Sequence, residues 1–167
     1  MNAKRICLCG LFAALLCVCS WLCVPVGNWM FTLQTFAVLL ALGLLGGKWG
    51  TVSILVYLAL GAVGLPVFSG FRGGIGMLFG ATGGFLWGFF AAGLAYWGVW
   101  QLSKSQLISM VSALAVCYAV GAVWYQIFYL QGSFGAVLLT CVVPYLLPDV
   151  LKLFLALFFT KRLKKIV

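Results

Sequence analysis

From end to end the chain alternates long apolar runs with brief polar interruptions, a pattern that leaves few folds open to it. Of its 167 residues, 66% are hydrophobic and only 7% charged. A soluble domain carries about 25% charged residues, so water could not wet what this sequence folds into. The solvent it fits is lipid, where a helix needs about 20 mostly apolar residues to cross a hydrocarbon core about 30 Å thick. The expected fold is therefore an all-α integral membrane protein of six transmembrane helices in one polytopic domain, 1–167. Those helices should cover about 6–24, 32–46, 49–63, 83–101, 107–130 and 148–165.

The breaks between them are chemically ordinary. Pro25-Val26-Gly27-Asn28 ends the first helix, Gly46-Gly47-Lys48 makes a tight turn, and Ser103-Lys104-Ser105 and Gln131-Gly132-Ser133 are polar turns. A glycine-rich stretch runs from Gly64 to Thr82. Proline suits the first turn of a helix and disrupts an interior, so the last helix is expected to begin near Pro148. The apolar segment 132–147 would then fold over the outer mouth, allowed there only if buried in protein or facing a water-filled cavity. Lys4-Arg5 followed by Ile6 to Val24 imitates a secretory signal, but no A-x-A site precedes the next apolar run. It is read as an uncleaved first helix.

Ten Lys and Arg against one acid give a net charge of +9. The cations lie between the apolar runs and form no single patch, so no nucleic-acid partner is expected. With six helices and both termini cytoplasmic, Lys4, Arg5, Lys48, Lys104, Lys161, Arg162, Lys164 and Lys165 all fall on the cytoplasmic side, as the positive-inside rule asks. Arg72 and Lys152 are the exceptions, and exceptions to a strong rule mark candidate sites.

Asp149 is the only acid in the chain and stands three residues before Lys152, on one helix face. An ionisable group within a membrane span costs about 2.5–3.5 kcal/mol on insertion scales and is kept for pairing or for a ligand. With Pro148 as first residue, Asp149 would also gain from the helix dipole. Arg72 lies among Ser69-Gly70-Phe71-Arg72-Gly73-Gly74, where glycine permits close approach and arginine can grip a carboxylate. Small-residue ridges at Gly80/Gly84/Gly88, Gly43/Gly47 and Gly10/Ala14 suit close helix packing, internal or with a partner. Seven cysteines include no C-x-x-C; the C-x-C pairs sit about 200° apart on a helix and chelate poorly, so they read as small apolar residues. No metal site or cofactor is expected. The chain has no P-loop signature, no H-E-x-x-H, no histidine and no second carboxylate, so neither ATP hydrolysis nor another enzyme activity is expected of it.

Three stretches resemble one known family. They are Phe31-Thr-Leu-Gln-Thr-Phe-Ala-Val-Leu-Leu40; Gly61-Ala-Val-Gly-Leu-Pro-Val-Phe68 with Gly73-Gly-Ile-Gly76 and Gly80-Ala-Thr-Gly-Gly-Phe85; and Pro144-Tyr-Leu-Leu-Pro-Asp-Val-Leu-Lys152. Together they resemble the BioY family, the biotin-specific substrate-binding (S) components of energy-coupling-factor (ECF) transporters. Ala81 stands where the family usually has proline, and Leu147-Pro148-Asp149 where it often has proline-glycine-aspartate; neither departure touches an ionisable residue. The resemblance implies high-affinity biotin capture at the outer face of a bacterial plasma membrane. It also implies partners: a transmembrane coupling subunit and two ABC ATPases that supply the energy. Asp149 and Lys152 would be ligand-binding, with Arg72, Gly73, Gly74, Gln34, Phe68 and Thr82 around the pocket and Trp29, Phe31, Phe71 and Phe79 as further candidate walls. Biotin would be a transported ligand, not a cofactor. The alternatives are an S component for another vitamin, a channel or structural membrane subunit that captures nothing, and a secondary transporter using Asp149.

Overall fold

The computed structural model describes residues 3–26, 29–129 and 133–164. Lys165, the turn residues Gly27, Asn28, Gln131 and Gly132, and the side chain of Trp29 lie outside the described residues. The elements run α1 (Ala3–Trp21), β1 (Cys23–Val26), β2 (Trp29–Thr32), α2 (Gln34–Ala62), α3 (Ile75–Leu78), α4 (Gly83–Ser103), α5 (Gln106–Phe128), α6 (Phe134–Cys141) and α7 (Val143–Leu163). Among the described residues α1, α2, α5 and α7 are long and apolar enough to cross a membrane. At 1.5 Å per residue, α4 with its 21 residues is about 32 Å long.

α2 is two helices joined at a reversal. Gly46, with φ 78° and ψ 168°, is non-helical inside it. Gln34 Nε2 donates to Tyr57 Oη at 2.7 Å, though a straight helix would hold residues 23 apart about 34 Å from each other. Likewise a Cβ at Gly50 would stand 2.8 Å from the Cα of Leu42. The two arms therefore run antiparallel, about where helices 32–46 and 49–63 were expected. Gly46 occupies a region of φ/ψ that a side chain makes costly, while the space around its missing Cβ is open. Gly46→Ala is accordingly expected to cost about 1–3 kcal/mol through the backbone alone. A lower melting temperature in detergent would register it. Gly10→Ala, equally open but helical, should leave melting unchanged or raise it.

Two sequence expectations need correction. The first helix was expected to reach Val24 but ends at Trp21, and Cys23–Val26 pairs antiparallel with Trp29–Thr32 in the register Val24↔Phe31. Pro25 disfavours helical geometry at Val24 and cannot donate, which unravels the helix backwards. β-branched and aromatic neighbours then favour extension, and a two-stranded ribbon offers Pro25 an edge. Because Thr32 is held in that ribbon, the second helix begins at Gln34. The last helix was expected from Pro148 but starts at Val143, with Pro144 in its first turn and Pro148 inside. In an apolar medium each residue left out of a helix leaves backbone groups unsatisfied, a larger cost than the one hydrogen bond Pro148 forfeits. Asp149 is thus the seventh residue of α7, too deep for the dipole argument made above.

The core joins Leu16 of α1, Leu42, Ile54 and Tyr57 of α2, Ala92 and Tyr96 of α4, Met110 and Ala113 of α5 and Ala156 of α7. Cys17 and Cys19 are buried in it as small residues, and Cys9 is buried outside it. Buried hydroxyls bond carbonyls one turn back, as Ser109 Oγ to Ser105 O at 2.8 Å and Thr160 Oγ1 to Ala156 O at 2.6 Å. Two of the glycine ridges are absorbed here: a Cβ on Gly84 would strike Trp124, on Gly88 Cys117, on Gly47 Trp97 and on Gly43 Met110. Gly80 stands outside α4, against its own turn.

The rods bring two chemically different ends together. At one, Arg5 and Lys48 lie over the ring of Trp49, at 5.7 and 5.8 Å, and Lys164 lies over Trp100 at 5.1 Å. At the other, Trp21 Nε1 donates to Pro66 O at 2.7 Å and Phe31 packs on Tyr145 at 5.1 Å. Trp124 Nε1 donates there to Gly80 O at 3.2 Å, and Tyr129 Oη to Phe79 O at 2.8 Å. Aromatic donors thus tie down the carbonyls of the glycine-rich stretch.

Candidate functional site

At this second end the helices enclose a cavity of about 310 Å³. α7 contributes Tyr145, Asp149 and Lys152, spaced four and three residues apart and so on one face. α5 contributes Leu114, Cys117, Tyr118 and Tyr125; α4 brings Phe85, Leu86 and Phe89, with Thr82 at its N-cap. Gln34 and Thr35 come from the start of α2, Thr140 and Cys141 from α6, and Phe68, Ser69 and Arg72 from the loop after α2.

Asp149 and Lys152 are 3% and 7% exposed, so their charges are answered by protein groups. Lys152 Nζ donates to Asp149 Oδ1 at 2.6 Å, and Tyr118 Oη donates to Asp149 Oδ2 at 2.5 Å. Both oxygens of the carboxylate are therefore engaged. A carboxylate accepts about four hydrogen bonds, so acceptor capacity remains on each. Asp149 and Lys152 cancel, and Arg72, exposed at the loop, leaves the lining with one positive charge in excess. Such a cavity suits a largely apolar ligand that carries an anionic group and a small polar head able to donate to Asp149.

The loop is built to hold its shape. Phe68 N donates to Arg72 O at 2.9 Å, closing a short bridge around Gly70 and Phe71, both at positive φ. Gln34 is 4% exposed; its Nε2 bonds Tyr57, and Ser69 Oγ donates to its Oε1 at 3.5 Å. Phe68 meets Tyr57 edge-on at 5.5 Å.

Of the residues expected at the site, the cavity brings together Asp149, Lys152, Arg72, Gln34, Phe68 and Thr82. Gly73 and Gly74 are not in its lining. Gly74 N donates to Gly61 O at 2.7 Å, and a Cβ on Gly73 would run into the Leu65 carbonyl, so both shape the loop from behind. Phe31, Phe71 and Phe79 are also outside it: Phe31 packs on Tyr145, Phe71 stacks on Trp21 at 5.2 Å, and Phe79 is 60% exposed. The sequence reading missed Tyr118, Tyr125 and Tyr145. Their signal was period: Tyr118 and Tyr125 are seven apart on one face of α5, and Tyr145 is one turn before Asp149.

The BioY family model matches residues 1–167. The biotin transporter BioY of Thermotoga maritima is 39% identical over 160 residues, 94% of each chain. The probable biotin transporter BioY of Pyrococcus horikoshii is 38% identical over 168 residues, 98% of each. Among solved structures, the S-component for biotin from an ECF-type ABC transporter superposes with a TM-score of 0.87 at 25% identity, covering 99% of this chain and 95% of that one. A family model that matches residues 1–167, and relatives well above 30% identity over nearly all of the chain, establish that it belongs to the BioY family.

Proposed function

We propose that this chain captures biotin at the outer face of a bacterial plasma membrane, as the S component of an ECF-type transporter. The observation that carries the reading is the buried Asp149–Lys152 pair facing a mainly apolar cavity with one excess positive charge. Asp149 accepts from a ureido N–H and Lys152 donates to the ureido carbonyl. The fused rings and tail lie among Phe68, Phe85 and Phe89, and Arg72 meets the carboxylate. Six crossings, by α1, the two arms of α2, α4, α5 and α7, put both termini in the cytoplasm. The gathering of Arg5, Lys48 and Lys164 at the end away from the cavity supports that orientation. Most of α2 is buried inside the protein, so its short arms need not match the bilayer thickness.

The test is equilibrium binding of labelled biotin to the purified protein, with other vitamins as competitors. Tight, saturable binding that only biotin displaces supports the reading. Displacement by another vitamin instead assigns a different ligand. No binding by a folded sample makes the ion pair structural.

The chain carries no nucleotide-binding signature, so the energy for release comes from a coupling subunit and two ATPases. The docking face is α1. Gly10 has nothing within 4 Å of a Cβ and Ala14 is exposed, whereas the Gly84/Gly88 and Gly43/Gly47 pairs are used internally. Gly10→Leu with Ala14→Leu is expected to abolish co-purification with the coupling subunit while biotin binding persists. Unchanged assembly would place the docking face elsewhere.

A further inference from the structure

We infer that Tyr118 is a positioning residue for ligand recognition: from α5 it fixes the plane of the Asp149 carboxylate so that the remaining acceptor sites meet a ligand N–H. This rests on the ureido assignment made above and adds a residue that the assignment does not contain.

The argument begins with torsions. The last torsion of an aspartate is broad and roughly two-fold, so one donor does not set its plane. Lys152 is a poor candidate for setting it alone. It stands one turn away on the same helix, at the end of a flexible four-carbon stem, and its ammonium donates in three directions. Tyr118 differs on each count. It belongs to another helix, its ring has two torsions, and its one O–H points at Oδ2 from 2.5 Å. Donors on two helices, one to each oxygen, define an orientation that neither defines alone. Tyr118 also contributes no charge, so the carboxylate stays an acceptor and the local balance with Lys152 is undisturbed. The arrangement selects for a ligand that donates at this point and against one that only accepts.

The hydroxyl is removed without the ring by Tyr118→Phe. Biotin affinity is expected to fall about tenfold, the scale of one hydrogen bond to a charged group. A purely structural role could produce the same loss, so two readouts separate them. In the first, Tyr118→Phe is combined with Asp149→Asn; positioning predicts little further loss in the double variant, whereas independent structural damage adds. The second compares biotin with its two singly N-methylated forms on the wild type and on Tyr118→Phe. Positioning predicts that the preference for biotin over the form blocked at the Asp149 side narrows in the variant. A structural role weakens all ligands alike and keeps the ratio.

Undiminished biotin affinity in Tyr118→Phe, an additive double variant or an unchanged ratio overturns the inference while leaving biotin binding in place. Failure of the wild type to bind biotin overturns the ureido assignment and this inference with it.

Discussion

Asp149→Asn is expected to weaken biotin binding by one to two orders of magnitude. The substitution keeps shape and removes charge. It therefore forfeits a charge-assisted hydrogen bond to the ligand of about 1.5–3 kcal/mol, where every 1.4 kcal/mol is tenfold. It also leaves Lys152, which bonds Oδ1 at 2.6 Å, with at most a neutral amide oxygen as partner, and the second ligand contact is held less firmly. There is a stability effect to separate from this one. Removing one member of a buried ion pair costs about 3–5 kcal/mol, because the remaining charge is left uncompensated. The single variant should thus melt lower as well as bind less. Adding Lys152→Met removes the orphaned charge and should restore melting in detergent without restoring binding. A double variant that is folded and binds biotin like the wild type would show that the pair holds α7 in place and recognises nothing.

Much of this site was legible in the sequence, for a physical reason. A lone acid three residues from a cation, inside a long apolar run, is costly in lipid, and such a cost implies a partner or a ligand. Arg72 stood out in the same way, as a cation outside the set expected on the cytoplasmic side. Glycine punctuation likewise located the reversal at Gly46. What was not legible depended on contacts between segments distant in sequence. Tyr118 reads as an aromatic residue in an apolar helix until α5 is set against α7, so its hydroxyl gave no sign of its partner. The β1–β2 ribbon had a local cue: Gly27-Asn28 between short runs rich in β-branched and aromatic residues is a hairpin signature. The expectation of a first helix running to Val24 and a second starting at Thr32 overrode it. Pro148 misled for the opposite reason, because the rule that places proline at helix starts was framed for water, where a broken helix can be solvated. In lipid the backbone has no such recourse, and the helix continued through it.

Gly61→Val is expected to damage both stability and binding. A Cβ at Gly61 would fall on the ring of Phe68, and the ring is 1% exposed, with no free volume to retreat into. Expelling it costs on the scale of deleting it, about 3–5 kcal/mol. The consequences run outward from that contact. Phe68 sits edge-on against Tyr57, which accepts from Gln34, and Gln34 in turn accepts from Ser69; the same displacement therefore loosens three residues of the cavity wall. Gly61 also receives the Gly74 N–H on its carbonyl, so the loop carrying Arg72 is pinned from both sides at this one residue. Melting in detergent and biotin titration should fall together. Gly61→Val with Phe68→Ala tells the two losses apart: the valine methyls refill part of the space the ring vacates, so melting should partly recover, while the cavity still lacks its aromatic wall and binding stays weak. Unchanged melting in Gly61→Val would mean that Phe68 is not seated against Gly61, and the loop would then owe its position to its other contacts, among them those of Ser20, Trp21, Trp124 and Tyr129.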